Sequence, residues 1–332
     1  MIGFVEKKSI DWLFVQHALN LSESANQWSN FGPVSILTEQ CISDYLKLPP
    51  NRCVVMCSNG TQAIFSLVQM YNFLYKKPIK WVVSSFGFHC AKQGPLADAI
   101  VVDCDSNGLL ALESIEEDFD GLMVTNPFGV ADNLDVYKEF CKKNNKILFC
   151  DSASAFDAIK AHDIDEVISF HHTKPWGFGE GGCVIINKNK VKLFRSIINF
   201  GLGEYDPDVK PYCTNGKISD ISCVFILQRL QKIEQIKQIY IKQYNRIKKI
   251  SIDLGFRVLI DREIDHIPFC VPLVSSKVIK NPPDRYFKSH KYYKPLNNLP
   301  KANDLYSKIL NVPCHTEMQK LNNYELKQSL IC

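Results

Sequence analysis

The sequence predicts an α/β fold whose main part is a mostly parallel β-sheet covered by helices on both faces. Up to about residue 187, short apolar runs alternate with amphipathic segments, which is typical of parallel strands joined by crossover helices. Beyond Phe200 the pattern changes to long helices, short strands and prolines. We therefore expect a large α/β domain over residues 1–210. A long helix and a smaller α+β domain are expected over residues 211–332.

The helices are predicted from apolar spacing and from residues that favour helix ends. An amphipathic stretch covers residues 12–21, and Pro33 fits the first turn of a second helix. Further helices are expected over 61–74 and 133–144, and a very long one over 219–254. The remaining predicted elements are the strands RCVVMCS, KWVVSS, AIVVDC, GLMVTN, KILFCD, EVISF, GCVIINK, FRVLI and FCVPLV, and two closing helices near Asp304 and Glu317.

Composition excludes several classes of function. The chain has 332 residues and a formal net charge of +4, which is too weakly basic to indicate nucleic-acid binding. Its thirteen cysteines lack paired CxxC spacing, so we expect buried free thiols in a reducing cytosol and neither disulfides nor a metal site. The chain opens without a signal-peptide pattern and has no apolar run that could span a bilayer. We expect a cytoplasmic protein without a membrane partner.

One segment, SFHHTKPWGFGEGG at residues 169–182, presents a lysine in a setting suited to covalent chemistry. Lys174 follows a predicted strand end, and the glycines after it let a ligand approach the backbone closely. A single lysine is usually a solvated surface charge. Other predicted strands, however, end at polar or aromatic residues, and ligands of open α/β sheets gather at the carboxyl ends of strands. These strand-end residues are Ser58, Asn59, Gly60, Thr61, Phe86, Phe88, Asp151, His171 and His172.

A lysine that forms an imine with an aldehyde cofactor needs a phosphate site, an acid opposite a ring nitrogen and an aromatic face. The loop SNGTQA precedes a helix, so the amides of Gly60, Thr61 and Gln62 can bind a phosphate dianion or form an ordinary helix N-terminus. Asp151 can meet a protonated pyridine nitrogen or cap a helix. Phe88 can stack on the ring or fill the core.

Taken together, these pieces resemble the DegT/StrS group of fold-type I, pyridoxal-phosphate-dependent sugar-nucleotide aminotransferases. The similarity runs from Asn30 to about Leu230 and is weaker beyond. Its most specific part is an aspartate, a serine and then a lysine followed by GEGG. The matching pieces, in order, are NFGP, SNGT, SFGF, VVDCD, NPFG, CDSASAF, SFHHTKPWGFGEGG and TNGKISD.

The resemblance implies a role for each of the main residues. Lys174 would carry pyridoxal 5'-phosphate as an internal aldimine and shuttle the proton, with pyridoxamine 5'-phosphate formed in the cycle. Asp151 would pair with the pyridine nitrogen, and Phe88 would lie over the ring. Ser169 would join the SNGTQA loop at the phosphate. Asn215 would reach the phosphate of a neighbouring subunit, which implies a homodimer with shared active sites, although an Asn-Gly pair is equally a simple turn.

Two features of the sequence bear on the reaction. Ser154 stands where the family usually has a glutamine near the cofactor's phenolic oxygen, and its shorter side chain predicts a contact through water. A subgroup of the family replaces the lysine by histidine and removes a sugar hydroxyl. Because this chain keeps Lys174, transamination is the better interpretation, and a keto-sugar dehydratase is the alternative.

The resemblance also implies the substrates. L-glutamate would donate the amino group, and a nucleotide-linked keto-sugar would accept it. The motif HKYYKPL at residues 290–296 resembles a small-domain segment of viosamine-forming 4-aminotransferases, so C4 of dTDP-4-keto-6-deoxyglucose is the predicted position. A C3 keto-sugar aminotransferase and a non-catalytic pyridoxal-phosphate-binding sensor or partner subunit stay open. Predicted substrate contacts, each of which could equally be structural, are Asn30, His172, His290, Tyr293 and His315.

Overall fold

A computed structural model describes residues 1–203 and 206–331. Its strands are β1 (Arg52–Cys57), β2 (Trp81–Ser84), β3 (Ile100–Val102), β4 (Gly121–Thr125), β5 (Ile147–Asp151), β6 (Asp165–Ser169), β7 (Gly182–Asn187), β8 (Arg257–Val258), β9 (Val271–Val274) and β10 (Ile309–Val312). Its α-helices are α1 (Trp12–Ala25), α2 (Pro33–Leu46), α3 (Gly60–Tyr75), α4 (Asp135–Lys143), α5 (Val191–Ile197), α6 (Asp220–Leu230), α7 (Ile233–Asp253), α8 (Pro300–Lys308) and α9 (Asn323–Leu330).

Among the described residues, β1 to β7 form one sheet in the order β1-β7-β6-β5-β4-β2-β3. The strands β6, β5, β4, β2 and β3 pair in parallel, whereas β7 is antiparallel to both of its neighbours. Every residue of β2, β4 and β6 is buried, as expected for a sheet covered on both faces. The predicted fold class is confirmed, and the carboxyl ends of β1, β2, β4, β5 and β6 share one edge.

The smaller sheet consists of β8, β9 and β10, is fully antiparallel and has β9 at its centre. Apolar side chains of α7 pack with those of β8, β9 and β10 in one core cluster. The N-terminal residues also reach this region, since Ile2 forms a β-bridge with Phe287. The N-terminal residues therefore pack against the C-terminal part of the chain.

The predicted single helix over residues 219–254 is wrong. Two helices, α6 and α7, occupy this stretch, and Lys232 between them has non-helical backbone angles (φ −110°, ψ 14°). The break lets α6 pack between α1 and α2 while α7 packs towards the small sheet and α9. Both helices have continuous apolar faces, so local sequence carries no sign of this change of partner.

Two smaller predictions also differ from the structure. The helix expected near Glu317 is a short 3₁₀ turn, Thr316–Lys320, and the last α-helix begins only at Asn323. Asn322 and Glu325 form a capping box there, a start signal that lay just beyond the predicted position. The strand FRVLI is reduced to β8, because only Arg257 and Val258 form ladder pairs with β9 and Leu259 adds a single backbone hydrogen bond to Pro272.

The cysteines and the helix lengths agree with the composition. All twelve described cysteines are free thiols, and nine of them are buried, which confirms the expectation of buried thiols, while Cys332 lies outside the described residues. None of the helices that the structure describes combines the length and apolarity needed to cross a bilayer.

One buried carboxylate, Asp220, joins three helices. Its oxygens accept hydrogen bonds from the backbone N–H groups of Val34 (3.0 Å) and Ser35 (2.9 Å) at the start of α2 and from the Ser22 hydroxyl (2.6 Å) in α1. A side chain at Gly32 would collide with this carboxylate, because its Cβ would lie 2.4 Å from Asp220 Oδ2. The negative charge faces the positive end of the α2 dipole. This contact joins the NFGP segment at the start of α2 to the TNGKISD segment at the start of α6.

We expect Asp220→Ala to lower the free energy of unfolding by about 3 kcal/mol, because two backbone donors at a buried helix start lose a charged acceptor. Urea unfolding measures this difference. The matched control is Asp11→Ala, which removes the exposed cap of α1 and should cost about 1 kcal/mol. A cost for the Asp220 variant no larger than that of the control would contradict the assignment.

His266 makes stability depend on pH. Its ring is fully buried, neither ring nitrogen has a hydrogen-bond partner among the residues that the structure describes, and burial lowers its pKa from 6.5 to about 4. Between about pH 6.5 and 4, His266 is therefore protonated in the unfolded chain but neutral in the folded one. The free energy of unfolding consequently decreases as the pH falls.

Relative to a His266→Leu variant, the protein should lose about 3 kcal/mol of folding free energy over this interval. Urea unfolding of both proteins across this pH range checks the expectation, because all other titrating groups are shared and cancel. Parallel stability curves would show that His266 carries no such linkage.

Candidate active site

A cavity of about 610 Å³ opens at the carboxyl edge of the large sheet. The residues around it come from four of the strand ends singled out in the sequence, those of β1, β2, β5 and β6, and from the end of β4. The chain beyond α7 contributes the aromatic side chains Phe269, Tyr292 and Tyr293. The lining residues are Asn59, Gly60, Thr61, Gln62, Ile64, Phe65, Phe88, Cys90, Thr125, Asp151, Ala153, Ser154, Ser169, His171, Thr173, Lys174, Glu180, Phe269, Tyr292 and Tyr293.

Lys174 lies on the hairpin that joins β6 to antiparallel β7. Backbone hydrogen bonds from Phe170 to Gly181 (2.8 Å) and from His172 to Gly179 (2.7 Å) close this hairpin. The ammonium group lies 4.3 Å from the centre of the Phe269 ring. Burial lowers the pKa of Lys174 to about 8, and the charge of Asp151 opposes this shift. About a tenth of the amine is therefore a free base, and so a nucleophile, at pH 7, far more than for an ordinary lysine.

Asp151 is the last residue of β5 and is only 3% exposed. Its carboxylate accepts a hydrogen bond from the Ala153 N–H (3.0 Å). Burial raises the pKa of Asp151, while that hydrogen bond and the charge of Lys174 oppose the rise. A buried carboxylate with one backbone donor and an open cavity in front of it is an electrostatic site for a cation.

The start of α3 forms the opposite end of the cavity. Asn59 caps this helix, and its side chain accepts the Gln62 N–H at 2.8 Å, so this amide is already engaged within the helix. Gly60 lies against Ser169, since a Cβ on Gly60 would be 3.0 Å from Ser169 Cβ. These residues place N-terminal helix amides and one hydroxyl together, an arrangement that binds anions.

Gly182, the last glycine of GEGG, explains how the helix start comes so close to the lysine hairpin. A Cβ at Gly182 would lie 2.4 Å from the carbonyl carbon of Asn59 and 2.5 Å from the amide nitrogen of Gly60. Only a glycine lets β7 touch the loop after β1 in this way.

Ser154 has a partner that the sequence did not predict. The Tyr293 hydroxyl donates to Ser154 Oγ (3.1 Å), which also accepts the Phe128 N–H (3.2 Å). The Tyr293 ring stacks on Phe128 with centroids 5.2 Å apart. The segment that carries Tyr293 contacts the end of β2, since the Leu296 N–H donates to the Ser85 carbonyl (2.9 Å). The hydroxyl groups of Tyr293 and Ser154 therefore form one polar group at the cavity wall.

Most of the predicted site residues meet at this cavity. Phe88, at its mouth, is 51% exposed, so a face of its ring is free to cover a ligand. The predicted residues that line the cavity are Gly60, Thr61, Gln62, Phe88, Asp151, Ser154, Ser169, Lys174 and Tyr293.

Five predicted residues lie outside the lining of the cavity. His315 is buried and its Nε2 is 3.0 Å from the Gly3 carbonyl oxygen, while His290 packs its ring on Phe4 at 4.7 Å. The His172 ring packs edge-on against Phe178. Their contact with substrate stays a prediction.

The other two residues lie in loops near helix starts. Asn30 is exposed with a left-handed backbone (φ 55°) just before α2. Asn215 precedes α6, and its side chain accepts a hydrogen bond from Lys217 (2.7 Å). Within one chain neither reaches the cavity, so their predicted roles stay predictions.

Sequence reasoning missed several lining residues. Thr125 ends β4 beside the cavity, and its buried hydroxyl lacks a hydrogen-bond partner within the described residues. The strand pattern GLMVTN could have indicated it, because it is another strand end. Phe269 and Tyr292 come from the chain beyond α7 through long-range packing, for which the sequence gives no local signal.

Comparison with known proteins identifies the family. Residues 14–267 match the DegT/DnrJ/EryC1/StrS aminotransferase family. The chain belongs to this family. The match covers the whole large sheet, α6 and α7, but not the first thirteen residues or the chain beyond residue 267.

Three relatives illustrate the range of similarity. Protein Rv3402c of Mycobacterium tuberculosis is 26% identical over 231 residues, 64% of this chain and 55% of that protein, so the chain spans about half the length of this relative. A UDP-4-amino-4,6-dideoxy-N-acetyl-beta-L-altrosamine transaminase of Helicobacter pylori is 22% identical over 86% of each chain. A dTDP-4-amino-4,6-dideoxy-D-glucose transaminase of Shigella dysenteriae is 22% identical over 63% of this chain and 59% of that enzyme.

Solved structures show the same fold over nearly the whole chain. DesI, crystallised in the presence of its TDP-sugar product, has a TM-score of 0.82 at 18% identity and covers 99% of this chain and 90% of its own. NtdA of Bacillus subtilis, solved with bound pyridoxamine phosphate, has a TM-score of 0.76 at 15% identity and covers 96% and 81%. The expected fold-type I aminotransferase architecture is confirmed.

Pyridoxal phosphate is the cofactor of this family, and the residues at the cavity fit it. Lys174 has the lowered pKa that an imine-forming amine needs. Asp151 is buried with room for a cationic ring nitrogen, and the start of α3 with Ser169 suits a phosphate. The unpartnered Thr125 hydroxyl is a further polar group for a ligand in this space.

We expect reductive methylation of Lys174 in cofactor-free protein to reach half of its maximal rate near pH 8, because only the neutral amine reacts. Asp151→Asn should lower this midpoint, since the lost negative charge no longer holds the ammonium form. Peptide mass spectrometry across pH measures both values. Asp135→Asn, on exposed α4, is the control and should leave the midpoint unchanged. An unchanged or higher midpoint in the Asp151 variant would contradict the coupling.

Proposed function

We propose that the protein is a pyridoxal-phosphate-dependent aminotransferase that moves an amino group from L-glutamate to a nucleotide-linked keto-sugar. The observation that carries this proposal is the arrangement in one cavity of an amine with a lowered pKa, a buried acid and an anion-binding helix start. Membership of the aminotransferase family and the names of the Helicobacter and Shigella relatives support it.

The chain's own groups divide the work of amino transfer. When bound, pyridoxal phosphate supplies an aldehyde that condenses with amines and a cationic ring that withdraws electrons. Lys174 Nζ would hold the aldehyde and, as a neutral amine, would accept and return the proton of the substrate. Asp151 would hold the ring nitrogen in its protonated form. Phe88, half-exposed at the mouth, covers the site and reduces the access of water.

The acceptor that we favour is C4 of dTDP-4-keto-6-deoxyglucose, as in viosamine formation. Two curated relatives carry names of transaminases that handle 4-amino-4,6-dideoxy sugars. The segment 290–296 supports the same choice, because it brings Tyr292 and Tyr293 to the cavity. Amination at C3 is the alternative. A pyridoxal-phosphate-binding sensor or partner subunit is less well supported, because such a protein needs no amine tuned for proton transfer.

A cytoplasmic homodimer with shared active sites is part of the proposal. The helices α1, α2 and α6 pack against one another and carry exposed apolar side chains on their outer faces, which favours a second copy as the covering partner. Asn215, one turn before α6, would then contribute to the neighbouring site. The exposed side chains are Trp12, Leu13, Ile36, Leu37 and Ile221.

The test is transfer of isotopically labelled nitrogen from L-glutamate to dTDP-4-keto-6-deoxyglucose by the pyridoxal-phosphate-loaded protein. Mass spectrometry should detect the labelled amino sugar, and NMR should place the nitrogen at C4. Lys174→Ala should reduce the rate on the order of a thousandfold, because the proton shuttle is lost. Lys188→Ala, which removes an exposed lysine, is the matched control and should leave the rate unchanged.

Each alternative has its own outcome in this assay. Labelled product only from a 3-keto sugar would move the site to C3, and loss of sugar oxygen with release of ammonia would indicate a dehydratase. Cofactor binding without nitrogen transfer from any amino donor would favour the sensor.

A further inference from the structure

The N-terminal segment, residues 1–11, runs beneath the hairpin that carries Lys174. Lys8 in this segment donates hydrogen bonds from its Nζ to the backbone carbonyl oxygens of His172, Lys174 and Gly177, each at 2.6 Å. Burial and the charge of Arg229 lower the pKa of Lys8 to about 7, whereas the charge of Glu6 and the three carbonyl acceptors favour the ammonium form. The ammonium form has three donors, one for each carbonyl on this short turn of the chain. One acceptor is the carbonyl of Lys174 itself.

We propose that Lys8 is a positioning residue for Lys174. Its ammonium group binds three carbonyl oxygens of residues 172–177 and thereby fixes the direction in which the Lys174 side chain enters the cavity. Lys8 does not line the cavity and lies before the part of the chain that matches the family, which begins at residue 14. The inference rests on the proposed function, in which Lys174 is the reactive amine.

Lys8 can hold the turn because its own segment is fixed on both sides. Glu6 forms an ion pair with Arg229 of α6 and accepts hydrogen bonds from Tyr240 (3.2 Å) and Thr316 (2.6 Å). On the other side, the Asp11 N–H donates to Gln228 Oε1 (2.8 Å), and Gln228 Nε2 returns a hydrogen bond to the Ser9 carbonyl (3.1 Å). The segment is thus anchored to α6, α7 and the C-terminal region.

Arg229 adds a fourth contact to the same turn. Its Nε donates to the Pro175 carbonyl (2.7 Å), and its guanidinium pairs with Glu6. Four carbonyls of residues 172–177 are therefore held by two cationic side chains outside the cavity. Hydrogen bonds from charged donors are stronger than neutral ones, so the turn is held more firmly than its own three backbone hydrogen bonds, donated by His172, Lys174 and Gly177, would allow.

An uncharged side chain at position 8 cannot reproduce this contact. Methionine is unbranched like lysine, although one atom shorter, and it leaves three carbonyl oxygens without donors, so the turn has to shift towards water or towards another donor. A displacement of about 1 Å at a reacting group is enough to reduce a rate on the order of a hundredfold. Binding of the amino donor depends on other groups and should change little.

The experiment compares Lys8→Met with Lys7→Met in the full-length protein. Lys7 is adjacent and exposed, and its structural contact is made by the backbone N–H with Glu317, so its side chain is a matched control. In the loaded protein, Lys8→Met should lower kcat by about tenfold to a hundredfold with KM for the amino donor changed by less than about threefold.

A second readout does not depend on the cofactor or on the reaction. In cofactor-free protein, the midpoint for reductive methylation of Lys174 should rise by about one pH unit in Lys8→Met, because a relaxed turn exposes the amine to water. Lys7→Met should keep the midpoint near 8. Lys8→Gln, which keeps two donors, serves as the second variant if Lys8→Met does not fold, and it is expected to shift the midpoint in the same direction.

The outcomes separate this inference from the proposed function. An unchanged midpoint and an unchanged kcat in a folded Lys8 variant would overturn the positioning role. A lower kcat together with a lower free energy of unfolding, while the Lys174 midpoint stays unchanged, would likewise assign Lys8 a purely structural role. Absence of nitrogen transfer in the unmodified protein would refute the proposed function, while the methylation midpoints would still decide the role of Lys8.

Discussion

The candidate site depends on the close contact between β7 and the loop that follows β1. Gly182 lies against the Asn59–Gly60 peptide at a distance that no Cβ could occupy. Because β7 is also the antiparallel neighbour of β6, this contact brings the start of α3 next to the hairpin that carries Lys174. The anion-binding end and the amine end of the cavity are therefore held at a fixed separation by the sheet itself.

Burial gives the two central groups their chemistry. Both Lys174 and Asp151 lose hydration, which lowers the pKa of the amine and raises that of the acid, and the attraction between them limits both shifts. A carboxylate in this position costs folding free energy unless a cation meets it. A cationic ring bound beside Asp151 would remove this cost, and its binding would be stronger by a corresponding amount. A carboxylate that is unfavourable for folding would therefore favour binding.

Parts of the chain outside the large sheet also shape the cavity. The chain beyond α7 supplies Phe269, Tyr292 and Tyr293, and the Tyr293 hydroxyl completes the polar group formed with Ser154. The N-terminal segment holds the lysine hairpin from beneath through Lys8. Substitutions far from the cavity in sequence can therefore alter its geometry without changing any group that faces a ligand.

The sequence by itself determined the fold class, most of the strand ends that line the cavity, and the lysine, the acid and the SNGTQA loop that meet there. These features follow from local patterns, since apolar runs, helix starts and glycine motifs are read over a few residues. The break between α6 and α7, the helix cap by Asp220 and the pairing of Tyr293 with Ser154 were decided only by the tertiary structure. Each of these joins residues far apart in the chain, and the energy of such a contact depends on packing that local sequence does not encode. The role of Lys8 could not be predicted for the same reason. A lysine near the N-terminus is indistinguishable from a surface charge until the carbonyl groups that it contacts are known.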